Sequence, residues 1–407
     1  MHRRGRAQTR GGGLTEVLVL SVERGDRVGP LAGIKLVELA GIGPGPFCAM
    51  LLADLGATVL RIDRAQPVEQ GNPRPLKYNL LLRSRGSIAL DLKKPEAVEL
   101  VLRLVGQADA LIEGFRPGVT ERLGLGPDIC LKRNPKLVYG RITGWGQTGP
   151  LAKVAAHDLN YIALTGALHA IGRQGQPPAP PLNLVGDYGG GGLYLALGLL
   201  AGILDARNSG KGQVIDAAIV DGTASLMTSI YGLFSAGLMS LERGTNNSDS
   251  GAYFYDVYEC ADGLHVSVAA IEGRFHAELL RRLEIAPEDI GAQRDKANWP
   301  KARALFAARF KTKTRPEWCK LLEGTDTCFA PVLGMDLAPA HPHLKARETF
   351  IEIDGVVQPA PAPRFSRTVP ERPGAPQPIT RKNTDAALAP WLSRSEIEEI
   401  RTAGLVE

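Results

Sequence analysis

The chain has 407 residues, too many for one simple core, so two domains are expected, and its 44% hydrophobic and 22% charged content is that of an ordinary globular protein. The net charge of +5 does not mark a nucleic-acid binder. Residues 1–29 hold six arginines against two glutamates and one aspartate, so +3 of it sits there, and with aromatics at 6% the balanced remainder offers no basic stripe interleaved with rings.

The leading segment 1–28 carries Gly-Gly-Gly at 11–13 and is expected to be a disordered extension; Glu16, Glu23 and Asp26 argue against an organelle transit peptide. From residue 34 a β-α-β pattern begins. Ile34–Ala40 reads as a strand, Gly41–Pro46 as a turn, Phe47–Leu55 as a helix and Ala57–Asp63 as a second strand. A helix from Pro95 (Ala97–Val105) and strands at Ala110–Glu113, Leu137–Ile142 and Val214–Val220 follow. Strands alternating with helices predict an α/β protein with a parallel sheet covered on both faces. The longest apolar run, Leu193–Leu204, is twelve residues and ends at Asp205. A bilayer span needs about 20, so this is a buried helix, with a stop at Asn208-Ser-Gly-Lys-Gly212, and no membrane span is expected.

Residues 29–220 are taken as a large domain and 221–251 as linker helices and an exposed Asn/Ser/Asp-rich loop. Residues 252–335 read as a smaller α+β domain. The Pro-rich segment 336–407 cannot build a core alone and is expected to return onto the large domain. Five cysteines (Cys48, Cys130, Cys260, Cys319, Cys328), odd in number and without a C-x-x-C, predict no disulfide framework and no structural metal site. They point to a reducing, cytoplasmic location.

Glycines 41, 43 and 45 with Asp63 after the next strand imitate a dinucleotide-binding fingerprint. The order here is G-x-G-P-G-P, and Pro44 and Pro46 remove two amide donors where a pyrophosphate would rest. The turn is therefore read as structural.

Three segments carry polar groups suited to chemistry. Thr143-Gly-Trp-Gly-Gln-Thr-Gly-Pro150 precedes His157, which heads a helical stretch; most lone histidines are surface or core residues, but imidazole is also the commonest acid–base group, and a helix dipole favours its neutral form. Asp187 precedes four glycines (189–192). It is either a helix cap or a functional carboxylate beside a surface stripped of side chains, whose amides could hold an oxyanion. Glu272 ends an apolar stretch, where a carboxylate needs a partner; it forms a salt bridge or orients an imidazole. Arg64, Lys93, Arg116 and Arg122 all fall near predicted strand ends. Each alone reads as a surface ion pair; together they form a cationic rim where open α/β sheets bind ligands, and arginine suits phosphate.

The strings Gly-Trp-Gly-Gln-Thr-Gly-Pro150, His157-Asp-Leu-Asn-Tyr161 and Pro180-Pro-Leu-Asn-Leu-Val-Gly-Asp187 together resemble the α-methylacyl-CoA racemases of the family III CoA-transferase fold. So do Arg116-Pro-Gly-Val-Thr-Glu-Arg-Leu-Gly124, Gly210-Lys-Gly-Gln-Val-Ile-Asp-Ala-Ala218, Tyr258-Glu-Cys-Ala-Asp-Gly263 and Pro363-Arg-Phe-Ser-Arg-Thr368. The resemblance implies a Rossmann-like large domain, a small domain and an interlocked homodimer with active sites between subunits. It implies racemisation of 2-methylacyl-CoA thioesters, with His157 and Asp187 as the two bases and Glu272, from the second subunit, supporting His157. The coenzyme A moiety of the substrate, the only cofactor implied, would meet Arg64, Arg116, Arg122 and Lys93. The alternative is an acyl-CoA:carboxylate CoA-transferase with Asp187 as nucleophile; transferases of this fold lack a histidine at the His157 position. A few additional residues around 69–78 set this chain apart from that pattern.

Overall fold

The computed structural model describes residues 28–66 and 71–406. The expected extension 1–28 thus falls almost wholly outside the described residues, as does the start of the 69–78 departure.

Six parallel strands form one sheet: β1 (Lys35–Leu39), β2 (Thr58–Arg64), β3 (Gly86–Leu90), β4 (Ala110–Glu113), β5 (Val138–Thr143) and β6 (Gln213–Ala218). Their order is β3-β2-β1-β4-β5-β6. The strands are short apolar runs because both faces are covered. Leu36, Val59, Ile112, Val138 and Ile142 pack under the helices Pro44–Asp54 and Leu193–Ser209. Val37, Leu39, Leu60, Ile62, Ile88 and Leu111 face the helix Pro95–Val105. The C-terminal helices Arg381–Leu388 and Arg394–Thr402 and the turn between them close that second face, contributing Leu388, Trp391, Leu392, Ile397 and Ile400 to its core. This order reverses direction between β1 and β4, and there the carboxyl edge of such a sheet opens a crevice.

Two expectations shift. The turn after β1 is shorter than Gly41–Pro46, since the helix already starts at Pro44. Gly43 turns the chain at φ 67°, and prolines fit a first helical turn whose amides need no intrahelical acceptor. The strand resuming near Val214 ends at Ala218, and Ile219–Leu226 is a helix.

A fully buried Glu38 on β1 is bracketed by Arg61 (3.1 Å) and Arg85, and Arg61 also grips Asp63 through two bonds of 2.9 and 3.0 Å. Asp63 is thereby committed within the sheet, in keeping with the structural reading of the glycine turn.

The apolar run 193–204 belongs to a longer helix, Leu184–Ser209, whose 26 residues and mean hydropathy of 1.4 would suffice by length and composition to cross a bilayer. Leu195, Leu199, Ile203 and Ala206 are buried beneath the sheet, so it is built as a core helix. It stops where Gly210 takes φ 76°.

A second hydrophobic core gathers Tyr253, Phe254, Tyr258, Trp299, Phe306, Phe310 and Trp318. They lie around the antiparallel strands β7 (Tyr255–Glu259), β8 (His265–Ala269) and β9 (Phe329–Pro331). The segment 241–251, expected as an exposed linker, is a tight turn. Asp249 accepts the amides of Gly244 and Asn246 at 2.8 Å each, and Asn246 is buried. Asx side chains replace solvent as partners for the backbone there.

Candidate active site

The residues singled out from the sequence, Glu272 excepted, lie on segments at the carboxyl edge of the sheet. The glycine-rich string after β5 is anchored at both ends. Thr143 Oγ1 accepts the Gly146 amide (3.0 Å) and Asp216 on β6 accepts the Gln147 amide (2.9 Å). Its glycine at 144 admits the Tyr161 ring, for a Cβ there would stand 1.9 Å from Tyr161 Cε1. Trp145 meets the same ring edge-on at 4.9 Å. Tyr161 in turn donates to the Ala156 carbonyl at 2.5 Å and so fixes the approach to His157.

His157 is exposed and occupies the cap position before the helix Asp158–Leu164. Its amide donates to Asn160 Oδ1 (3.1 Å) and its carbonyl accepts the Asn160 amide (2.9 Å), so the backbone beneath the imidazole is held from both sides. Asp158, only 8% exposed, turns inward and accepts the Asp187 amide on Oδ1 at 2.6 Å. One hydrogen bond therefore spans the two segments from which the candidate bases project.

Asp187 sits in a wide, π-type turn, Leu184–Gly192, which runs directly into the helix Leu193–Ser209. Such turns are rare and recur at functional sites. Burial raises the Asp187 carboxyl to about 6, the Asp158 charge adds to the rise, and the Asn183 side chain and the His157 imidazole oppose it. The imidazole thus lies within electrostatic reach of the carboxylate. Across from Asp187 lies Gly43: a Cβ there would be 3.2 Å from Asp187 Oδ2. The ring of Phe47, from the helix Pro44–Asp54, packs on Tyr188 at 4.6 Å between centroids.

The glycines at 189–192 do something other than expected. They form no exposed ligand surface; Gly190, Gly191 and Gly192 are buried against neighbouring helices. A Cβ on Gly190 would meet Thr223 Oγ1 at 2.5 Å, and one on Gly192 would meet Phe47 Cδ1 at 2.7 Å. Their missing side chains let two helices close on the Asp187 turn. Nor is the Asp187 amide free to hold an oxyanion, since Asp158 occupies it.

Arg64, the last residue of β2, places its guanidinium carbon 5.9 Å from the Phe115 ring centroid, beside Arg116 in the loop after β4. Arg116 is exposed and lies within electrostatic reach of Tyr161, whose hydroxyl is pushed up to about 12, first by burial and then by the Asp187 and Asp158 charges. Arg122 is exposed at the end of the short helix Val119–Arg122 and its Nη1 lies 3.3 Å from the Cβ position of Gly118. Arg64 and Arg116 thus flank the β1/β4 crevice. Lys93 is exposed beyond β3, at the sheet's edge.

Glu272 stands apart. It is exposed at the cap position of the helix Gly273–Leu283, beside the second core, and among the described residues no hydrogen bond or ion pair joins it to His157. Asp158, Tyr161, Asn183 and Gly43 were not among the expected site residues. For Asp158 the sequence held one usable signal, its adjacency to His157.

This arrangement, a doubly wound sheet whose carboxyl edge presents an arginine rim, an imidazole and a half-buried carboxylate, defines a ligand-binding α/β protein with acid–base groups. Residues 31–382 match the model of CoA-transferase family III, and the chain belongs to that family. It is 44% identical to the α-methylacyl-CoA racemase of Mus musculus over 381 residues, 93% of this chain and 97% of that protein. With the Homo sapiens protein of the same name the identity is 40% over equal coverage. A CAIB/BAIF family protein from Brucella suis superposes with a TM-score of 0.76 at 26% identity, covering 90% of this chain and all of that structure.

Proposed function

We propose that this enzyme interconverts (R)- and (S)-2-methylacyl-CoA thioesters by 1,1-proton transfer, with His157 and Asp187 as the two bases. Identity of 40–44% over nearly the whole chain to proteins named α-methylacyl-CoA racemase supports the racemase reading. The observation that carries the assignment of roles is the Asp187 carboxyl, raised to about 6 by burial and within reach of the His157 charge. A carboxyl so tuned exchanges a proton near neutral pH, close to the ordinary range of an imidazole.

In one direction His157 removes the α-proton, the C–H electron pair becomes the C=C bond of an enolate, and the thioester carbonyl pair moves onto oxygen. Protonated Asp187 then returns a proton to the opposite face, and the carbonyl re-forms. The reverse direction exchanges the roles. Two groups on opposite sides are required because the product is the mirror configuration at that carbon.

Arg64, Arg116 and Arg122 are assigned to the phosphates of coenzyme A, with Lys93 farther out, since guanidinium matches phosphate geometry. Glu272 is assigned to the His157 of a second copy, which requires a homodimer with active sites between subunits. In that arrangement residues 29–220 form the large domain, 252–335 the small one, 221–251 the link, and 336–407 the return. All five cysteines are free, which favours a reducing, cytoplasmic compartment.

The test is incubation with (S)-2-methylacyl-CoA in deuterium oxide without an acceptor acid. Racemisation with α-deuteration is expected. Turnover only after a free carboxylate is added would instead assign the chain as a CoA-transferase with Asp187 as nucleophile.

A further inference from the structure

We infer that Asp158 is a positioning residue for the reaction: by accepting the main-chain amide of Asp187, its buried carboxylate locks the turn carrying Asp187 to the helix start carrying His157. The inference rests on the proposed roles of His157 and Asp187 and assigns Asp158 no contact with substrate.

Three observations point to this residue. Asp158 Oδ1 accepts the Asp187 amide at 2.6 Å, and the Gly186 amide is also directed at its carboxylate. Asp158 follows His157 directly, so a single side chain spans from one base's backbone to the other's. The approach is built in, because Gly186 has no side chain: a Cβ there would stand 2.3 Å from Asp158 Oδ1 and 2.8 Å from Ile162 Cγ2. Amide-to-carboxylate bonds are charge-assisted and short, and catalysis by two bases on one carbon tolerates little displacement of either.

The same carboxylate acts through its charge. The charged groups acting on Asp187 are Asp158 and His157; the Asn183 side chain, just before the turn, favours the ionised carboxylate. The elements packed on that turn present Gly43 and Phe47 from one side and Ile219 and Thr223 from another, all uncharged, while Tyr161 adds a hydroxyl. Removing the Asp158 charge therefore lowers the Asp187 titration, whereas removing the whole side chain also frees the Asp187 turn.

The experiment compares Asp158→Asn, which keeps an Oδ1 acceptor but no charge, with Asp158→Ala, which keeps neither. Asp187 is titrated in the free enzyme by carbonyl-carbon NMR, its signal assigned by its loss in Asp187→Asn. Alongside, α-deuteration of both enantiomers is followed across pH. In Asp158→Asn the Asp187 midpoint and the acid limb of kcat should both move to lower pH by about half a unit or more, with KM within about threefold. In Asp158→Ala kcat should fall about a hundredfold, on the scale of a misplaced catalytic group. An unmoved Asp187 midpoint in folded Asp158→Asn, or a wild-type kcat in Asp158→Ala, overturns the inference. If the wild-type enzyme deuterates neither enantiomer, the racemase reading fails, while the Asp187 midpoint in Asp158→Asn still decides the coupling.

Discussion

Gly43 and the Asp187 carboxylate face each other so closely that a Cβ on the glycine would stand 3.2 Å from Oδ2, at a backbone φ of 67°. The strand-to-helix turn that imitates a dinucleotide fingerprint is thus one wall of the proposed acid–base site. Gly43→Ala both strains a positive-φ backbone (φ 67°, ψ −120°), at roughly 1–3 kcal/mol, and crowds the carboxylate. We expect kcat to fall at least about tenfold with KM for the acyl-CoA changed by less than about threefold, because the glycine faces the base and not the arginine rim. A wild-type kcat in the folded variant would remove Gly43 from the site.

The raised Asp187 carboxyl has a cost in stability with a definite sign. A carboxyl near 6 when folded and near about 3.9 when unfolded binds its proton more tightly in the folded state. That stabilisation is complete below about pH 4 and is lost as pH rises through 6. Asp187→Asn stays neutral and should exceed the wild type by roughly 1–3 kcal/mol at pH 7.5, with the difference vanishing by about pH 4. Thermal unfolding at the two pH values checks this. The same titration should make the rate of the direction using Asp187 as base fall as pH drops below about 6.

Gly222 is the closest packing point in the helix Ile219–Leu226, where a Cβ would meet the Gly190 carbonyl oxygen at 1.8 Å. Backbone cannot yield as a flexible side chain can. Gly222→Ala should force the helix off the Asp187 turn and cost about 3 kcal/mol, lowering Tm by several degrees. Racemisation should decline along with stability. An unchanged melting profile would show that the two helices have slack.

The arginine rim makes a prediction about binding alone. Arg116→Ala should raise KM for acyl-CoA about tenfold or more, as expected for a lost charge-assisted bond to phosphate. Because Arg64 stacks by Phe115 next to Arg116, the double variant Arg64→Ala/Arg116→Ala should depart from additivity. Lysine at position 116 should rescue only in part, since it lacks the planar fork. Steady-state kinetics at two ionic strengths checks these outcomes.

Five of the six sheet strands were legible in the sequence, within about two residues, because a parallel strand covered on both faces must be a short apolar run; β3 (Gly86–Leu90), which opens on Gly86 and Ser87, was not read there and emerged only from its pairing with β2. The sequence also supplied the strings around His157 and Asp187, whose likeness to a family extends along the chain. What those residues meet follows from how the elements pack. The four glycines read as an open ligand surface and proved to be helix-packing sites, since a missing Cβ looks the same in sequence whether it admits a ligand or another backbone. The prolines of the glycine turn read as turn residues, yet Gly43 upstream lets them start a helix. Asp158 looked like a neighbour of His157 and emerged as the acceptor of the Asp187 amide. Contacts between residues twenty-nine positions apart depend on how two turns pack, and local propensity carries no information about that.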